Sequence, residues 1–542
     1  MTRERRLDWA AGLVVLGVYA VVQLLLLQGP RIYDPETYFN AGRDFPDLFA
    51  SRWTLRLGLV LPIHAAIRVF GESEAALYAV PFASGLLLAG ASYAAMLLLF
   101  RDRLLAAAAA LAIVLNGYFL LNSSSIFPDT TATATFTAAL ACLVAGRTRP
   151  ANGRRFSPET VALVVAGVLF GWTLLVRELD IVLVPALAVA AFLLGYRARK
   201  LALLAAAALA TVALDPLYGV LRFGDPIKHV RAIATRNNTV QPKNFERFDR
   251  FHEQMHDILD TVLAFPNLLL RWPGGWVFIL FVAIFVLALG LFRDRRLWLL
   301  AVWCFGFWAF MAVVGVGELP SGKWILNITN IRYWYAIFPP LVMGAFGALA
   351  LVGWKGPLAA RLGISLVHVA AVALLVLAVV PGVVEYDRCS SLDETQNVWV
   401  SEPVERWREL RGWFATPQAD AFDVVKTGWV TSSFVTVFAK TTFGGRLWDG
   451  DVKGSRTLLT FRPGSRLGRT LVIVDKDRAA ARQLSKLRRD WRPVFVTQDG
   501  KLGVLAHASA ATSAASSGRW SWELGDRKAD AAEAAHCSIK GL

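Results

Sequence analysis

The sequence predicts a polytopic α-helical membrane protein with a small water-soluble α/β domain toward its C-terminal end. Three observations predict it. Of 542 residues, 56% are hydrophobic and only 18% are charged, with a mean hydropathy of +0.47; many nearly uncharged stretches approach the ~20 residues that cross the hydrocarbon core of a bilayer. The connections between these stretches alternate between short basic ones and longer, more acidic ones. After Pro381 the hydropathy drops and strand-like runs begin.

The length criterion gives about eleven spans. They cover 8–28, 76–100, 104–122, 129–146, 160–177, 180–195, 201–221, 273–292, 297–316, 333–353 and 362–382. The first apolar run follows Arg3, Arg5 and Arg6. It is too long for a secretory leader and lacks a small-residue cleavage site, so it reads as a transmembrane helix. Arg101/Arg103, Arg147/Arg149/Arg154/Arg155, Arg197/Arg199/Lys200, Arg293/Arg295/Arg296 and Lys355/Arg361 mark the short basic connections. By the positive-inside rule these face the cytoplasm, as does the N-terminus. The connections 29–75, 123–128, 222–271 and 317–332 then face outward. An odd number of spans puts the C-terminal region outside as well. The net charge of +16 reads as topology and affinity for anionic lipid. No Lys/Arg run with interleaved aromatics points to nucleic acid. The Ala-, Arg- and Leu-heavy composition fits a GC-rich bacterial chain, hence a bacterial cytoplasmic membrane.

Within the first outer connection, Trp53 to Phe70 reads as an amphipathic helix in the headgroup plane, with Arg56, His64 and Arg68 among apolar residues and Arg52 just before it. Beyond the spans, Asp423–Thr427 and Leu471–Asp475 read as buried strands. Arg478–Arg488 reads as a helix leading to a third strand, Val494–Thr497. That alternation predicts an α/β layer over 383–506. The Ala/Ser/Gly-rich stretch 507–542 reads as a flexible tail. Cys142 and Cys304 fall inside spans as small buried side chains. Cys389 and Cys537 fall in the soluble region, where an oxidising compartment would allow a disulfide.

Ionisable residues collect at the outer mouths of the spans. Asp34 precedes Pro35, an N-cap pattern, yet Glu36, Tyr38, Asp44 and Asp47 follow within a segment that must pack on a membrane domain. A carboxylate at that boundary suits a general base. Asp129 opens the fourth span after Phe127-Pro128. Arg177, Glu178 and Asp180 crowd a hairpin with almost no loop, where charge is costly unless paired or functional. A guanidinium there would match a phosphate, and a salt-bridged turn explains the same residues. Gly224-Asp225-Pro226 is a turn, followed by Lys228, His229, Arg231 and Arg236. Arg332, with Tyr333, is either an interfacial anchor or a phosphate ligand. No His/Cys set has zinc spacing, and no P-loop, nucleophile elbow or dinucleotide fingerprint is present. Acids near Asp34 would suit a divalent metal, but no oxygen-ligand spacing demands one.

In this order the residues resemble the GT-C glycosyltransferases of the dolichyl-phosphate-mannose-protein mannosyltransferase and aminoarabinose transferase type. The resemblance spans 1–382. It rests on Tyr33-Asp34-Pro35-Glu36-Thr37-Tyr38, the interfacial helix leading to Phe70-Gly71-Glu72-Ser73-Glu74, Asp129, Arg177-Glu178, Gly224–Pro226 and Arg332 to Pro340. It implies a GT-C transmembrane catalytic domain that moves a sugar from a polyprenyl-phosphate donor to an acceptor hydroxyl of a glycan, lipid or protein outside the membrane, with inversion. It implies Asp34 as catalytic base, Asp129 as second acid, and Arg177 and Arg332 near the donor phosphate. Glu36, Tyr38, His64, Glu178 and Tyr333 complete the expected substrate-binding set. A phosphate leaving group needs charge stabilisation more than an acid, and an acceptor hydroxyl needs a base. Three other readings stay open: a transporter or flippase of lipid-linked glycans, an O-antigen-ligase-like enzyme, and a non-catalytic assembly protein acting through its soluble domain.

Overall fold

The helix that begins at Pro128 lies at the centre of the bundle, and its sequence explains why. Thr130, Thr131, Thr133, Thr135 and Thr137 are all buried. Thr135 and Thr137 return their hydroxyls to the carbonyls of Thr131 and Thr133, at 3.0 and 2.7 Å. Thr131 and Thr135 also reach sideways, to Ser84 and Thr173, each at 2.9 Å. Small hydroxyl residues of this kind let helices approach closely and join them without exposing polar groups to lipid.

The computed structural model describes residues 3–27, 34–148, 157–239, 254–255, 258–270, 274–314, 316–318, 324–326, 331–352, 366–389, 404–442, 445–446, 448–455, 467–476, 481–510 and 520. Helices are numbered in chain order: α1 (Arg3–Leu25), α2 (Asp34–Asp44), α3 (Leu57–Phe70), α4 (Glu74–Phe100), α5 (Arg103–Val114), α6 (Gly117–Ser123), α7 (Pro128–Thr148), α8 (Pro158–Val176), α9 (Leu183–Leu193), α10 (Ala198–Val212), α11 (Leu214–Phe223) and α12 (Lys228–Thr239). They continue as α13 (Ile258–Leu270), α14 (Trp276–Phe292), α15 (Arg295–Val314), α16 (Phe338–Val352), α17 (Leu366–Cys389), α18 (Val404–Phe414), α19 (Trp429–Lys440) and α20 (Ala481–Asp490). Among the described residues, seven helical segments are long and apolar enough to cross a membrane. They are α1, α4, α8, Ala198–Phe223, Arg295–Ala312, Arg332–Val352 and Leu366–Val384.

Among the described residues each of the eleven predicted spans overlaps helix, but only seven helical segments are long and apolar enough to cross a membrane; several differences have local causes. The stretch 104–122 breaks into α5 and α6 at Asn116. Its buried amide donates to Ala112 and Ile113 carbonyls at 3.1 and 2.6 Å, and its carbonyl oxygen accepts from the Phe119 N–H at 3.2 Å. That side chain competes with the helix and ends it. The expected span 180–195 starts as a 3-10 turn, Glu178–Val182, before α9; 333–353 starts as a second one, Ile331–Ile337, before α16. The amphipathic segment begins its helix at Leu57, later than predicted, because 51–55 fold into turns closed by Leu55 N–H to Ser51 O and Arg56 N–H to Trp53 O.

The soluble part contains a five-stranded sheet in the order β7-β4-β8-β10-β9. In chain order the strands are β1 (Gln254–Met255), β2 (Val316–Glu318), β3 (Trp324–Leu326), β4 (Val424–Gly428), β5 (Thr441–Thr442), β6 (Gly445–Arg446), β7 (Asp451–Ser455), β8 (Thr470–Asp475), β9 (Trp491–Val496) and β10 (Leu502–His507). The three predicted strands are β4, β8 and β9, and α20 falls where a helix was expected. β7 and β10 were not predicted. β4 runs parallel to β7 and β8, whereas β10 pairs antiparallel with β8 and β9. The expected flexible tail lies mostly outside the described residues, but Trp520 packs so closely on Gly503 that a Cβ there would lie 2.4 Å from its ring. The Cys389 and Cys537 side chains also lie outside the described residues, and Cys142 and Cys304 are free.

This soluble part rests on the start of the membrane domain. Trp407, Leu410, Trp413 and Phe414 of α18 share one apolar cluster with Tyr38, Phe39, Leu59, Ile63, Leu77 and Ile126. Glu74, at the head of α4, takes both Arg408 and Arg411, at 2.7 and 2.5 Å. Beneath it, Gly58 seats α3 on the end of α8. A Cβ at Gly58 would lie 2.7 Å from the Val176 nitrogen, and the Trp172 indole N–H donates to the Gly58 carbonyl at 2.9 Å. Gly58→Val should overpack this contact at a cost of about 1–3 kcal/mol, seen as a lower thermal midpoint of the purified protein. An unchanged midpoint would mean that α3 is not seated there.

Candidate functional site

Five short elements meet at the end of the bundle expected to face outward: α2, the entry to α3, the head of α7, the 3-10 turn after α8, and the 3-10 turn before α16. Each brings one or two charges. Asp34 is the first residue of α2, and its side chain is 24% exposed. Arg332 donates from Nη2 to Asp34 Oδ2 at 3.0 Å, while Oδ1 has no partner among the described residues. The Arg332 guanidinium also stands 4.6 Å from the Phe127 ring and 5.2 Å from the Tyr333 ring. Its Nε lies 4.0 Å from Asp129 Oδ2. Asp129 in turn faces Arg177, with Oδ1 3.4 Å from Nε.

Arg177 is 2% exposed. Its Nη1 is 3.4 Å from Asp180 Oδ1, and its Nη2 donates to the Tyr333 carbonyl at 3.2 Å. The resemblance implies Arg177 near a donor phosphate; the structure places it between Asp129 and Asp180. A phosphate reaching it would compete with a buried carboxylate for the same guanidinium.

A second row of charges lies alongside. Arg56, just before α3, donates to Glu178 from Nε and Nη2 at 3.0–3.2 Å and to the buried Tyr38 hydroxyl from Nη1. Glu178 Oε1 is 3.2 Å from His229 Nε2 on α12, and His229 Nδ1 is 3.2 Å from Asp215 Oδ2 on α11. Burial opposes the charge on Glu178, but Arg56 and His229 outweigh it and hold its carboxyl down at about 2. His229 is likewise opposed by burial, and its two carboxylate partners hold it up at about 9.

Not every residue singled out from sequence joins these rows. His64 seams α2 to α3, its Nδ1 2.8 Å from the Gly42 carbonyl and its ring 5.2 Å from Phe45. Glu36 is buried on α2 and acts electrostatically on Arg43. Conversely, Arg56, Asp180, Asp215 and Arg52 were not proposed as site residues. Arg52 is half-buried against Trp53, 4.6 Å from its ring. Its Nε is enclosed without a hydrogen bond. Burial first, and then the neighbouring Arg56, push its pKa down, while Asp34, Tyr38 and Tyr333 pull it up. The i, i+4 spacing of Arg52 and Arg56 was the available signal. For Asp215 it was an acid inside an apolar run.

Asp34, Asp129, Asp180, Glu178 and Asp215 supply five negative charges. Arg52, Arg56, Arg177, Arg332 and the protonated His229 supply five positive ones. The site is therefore near neutral overall, and Arg52 is the cation in it with no carboxylate partner among the described residues. Among the described residues no three His, Cys, Asp or Glu side chains converge as a metal site.

The ArnT crystal structure from Cupriavidus metallidurans in the apo state aligns with 94% of this chain and 100% of its own, with 14% identity and a TM-score of 0.51. ArnT from the same organism bound to undecaprenyl phosphate aligns with 92% of this chain and 99% of its own, with 14% identity and a TM-score of 0.50. This is the GT-C fold. The chain resembles ArnT over most of its length in backbone course, with little sequence in common. The oligosaccharyltransferase of Archaeoglobus fulgidus also aligns, at 15% identity and a TM-score of 0.47, over 86% of this chain and 70% of that one. No protein-family model matches the sequence. No curated protein matches it either.

The sign of the pH dependence follows from the second row of this site. His229 is held above its ordinary value of 6.5, so its contribution is fully present below pH 6.5 and is lost as pH rises toward 9. Glu178 is held below 4.5, so its contribution is present above pH 4.5 and is lost as pH falls toward 2. Between pH 6.5 and 9 the thermal midpoint of the wild type should fall more steeply than that of His229→Gln. Parallel curves would show that His229 is not clamped between the two acids.

Proposed function

We propose that the protein is an inverting glycosyltransferase that moves a sugar from a polyprenyl-phosphate carrier to an acceptor hydroxyl at the outer face of a bacterial cytoplasmic membrane. The observation that carries the reading is the state of Asp34. Arg332 fixes one of its oxygens, the other has no partner among the described residues, and the side chain stands at the rim of a buried polar cluster. That is the geometry of a general base: oriented by its partner and reachable.

In the proposed step the acceptor oxygen attacks the anomeric carbon from the face opposite the phosphate. The bond from that carbon to the phosphate oxygen breaks, and the electron pair leaves on the phosphate. The acceptor proton passes to Asp34 Oδ1. Developing charge on the departing phosphate needs a cation that is not already committed to a buried carboxylate. Arg52 meets that condition better than Arg177, and we assign it the donor phosphate, with Arg332 holding the base beside it. Asp129 then acts through Arg332 and Arg177 and not as a second acid on the acceptor. Glu178 acts through Arg56 and Tyr38, and Tyr333 through its carbonyl and ring. The ArnT structure bound to undecaprenyl phosphate, which aligns with 92% of this chain, suits this donor class. The acceptor is a glycan, lipid or protein of the cell envelope, reached from the outer side past the soluble domain.

Membranes containing the protein should transfer label from at least one of polyprenyl-phosphate-linked mannose, arabinose or galactose. Asp34→Asn should lower transfer by about 10²–10⁴-fold, the usual contribution of a general base, while leaving the protein folded by size exclusion. Arg52→Gln should raise KM for the lipid donor and lower kcat together. Full transfer by Asp34→Asn would overturn the assignment.

A further inference from the structure

We infer that Asp180 is a positioning residue, the far anchor of a row of alternating charges that ends at Asp34; this deepens the transferase reading and rests on it. The row runs Asp180, Arg177, Asp129, Arg332, Asp34, with successive contacts of 3.4, 3.4, 4.0 and 3.0 Å. It passes from the 3-10 turn after α8 to the head of α7, on to the turn before α16, and across to α2.

Asp180 is fully buried, and neither carboxylate oxygen has a hydrogen-bond partner among the described residues. Its charge is met by Arg177 alone among the ion pairs of the described residues. Burying a carboxylate in this way is costly, and a close-packed apolar side chain would serve a mere turn better. What Asp180 supplies is a negative charge on the far side of Arg177. Without it, Arg177 would hold an uncompensated positive charge facing Asp129. Asp129 would be drawn toward Arg177 and away from Arg332, where the contact is already the longest in the row. Arg332 would then have Asp34 as its remaining acid in the row and would bind it more tightly. The result is a base held more tightly by Arg332 and displaced from its working position. Asp180 touches no substrate in this arrangement; it acts through two arginines and an acid.

The test uses the full-length chain, with Asp180→Asn as the nearly isosteric change and Asp180→Ser, which leaves room for a water, as the second variant. Folding is checked by size exclusion and thermal midpoint. Asp34 is labelled with a water-soluble carbodiimide and glycine ethyl ester, and modification is quantified by peptide mass spectrometry. Both variants should label Asp34 more slowly by at least about threefold, the coupling expected within one charge network. With the sugar-lipid that the wild type turns over, kcat per folded molecule should fall about tenfold or more, as displacement of a reacting group does, with KM nearly unchanged. Unchanged or faster labelling, or a kcat within about twofold of wild type, far below that displacement effect, would overturn the inference. If instead the wild type transfers none of the three sugars, the proposed function fails, and the labelling decides alone whether Asp180 reaches Asp34.

Discussion

Arg177 sits with its guanidinium almost wholly out of water, wedged between Asp129 and Asp180 and tied to the Tyr333 carbonyl. An arginine cannot shed its proton to relieve such burial, so its two carboxylate partners must stay beside it. That obligation fixes the relative positions of three segments far apart in the chain: the end of α8, the head of α7 and the turn before α16. Removing one partner of a buried pair commonly costs ~3–5 kcal/mol, because the other charge is left stranded. The geometry around Asp34 depends on this arrangement, since Arg332 and Tyr333 are adjacent in sequence and both are held by it.

The Arg177-Glu178-Leu179-Asp180 hairpin feeds two rows of charge, and both arrive on the same helix. Arg177 and Asp180 lead through Asp129 and Arg332 to Asp34. Glu178 leads through Arg56 to Tyr38. Asp34 and Tyr38 are four residues apart on α2, hence on one face and one turn apart. A short helix bearing the proposed base is thus gripped at two points by charges from one rigid turn. Neither row would be worth much in water, where exposed pairs contribute ~0–1 kcal/mol. At this depth the lower dielectric strengthens each contact and raises the cost of any vacancy in the row.

Much of this was legible in the sequence, for reasons that separate by length scale. The spans were readable because bilayer thickness imposes a length that no soluble helix needs. Asp34, Asp129, Arg177, Glu178 and Arg332 stood out because charge at a span mouth is rare. Their pairing was not readable: which acid faces which arginine depends on how α7, α8 and the turn before α16 pack, and no local spacing encodes that. Arg177 shows the difference. Its residue type suits a phosphate, and its enclosure by two acids was not encoded by any local spacing. The break at Asn116 was hidden for a different reason, because a single side-chain amide outweighed a hydropathy profile that favoured one continuous helix. In the soluble part, β8 was readable as a fully buried run. β10 was not, with a glycine in its first half and an Ala/Ser stretch following it.

The soluble domain was the part least explained by composition, and its contacts give it a physical role. Tyr38 is shared. Its hydroxyl belongs to the charge row through Arg56, and its ring belongs to the apolar cluster that includes Trp407, Leu410 and Phe414. Glu74, which receives two arginines from α18, opens the helix directly after α3. The domain therefore touches the membrane portion at the two elements that frame the site, α2 and the junction of α3 with α4. Polar rows fix α2 from below through directional, charge-specific contacts. The apolar cluster fixes it from above through area, which is strong but not directional. Each supplies what the other lacks. A helix held only by the cluster could slide, and one held only by charges would admit water between them and weaken every pair. On this argument the soluble domain contributes to the site by keeping that end of the charge rows dry.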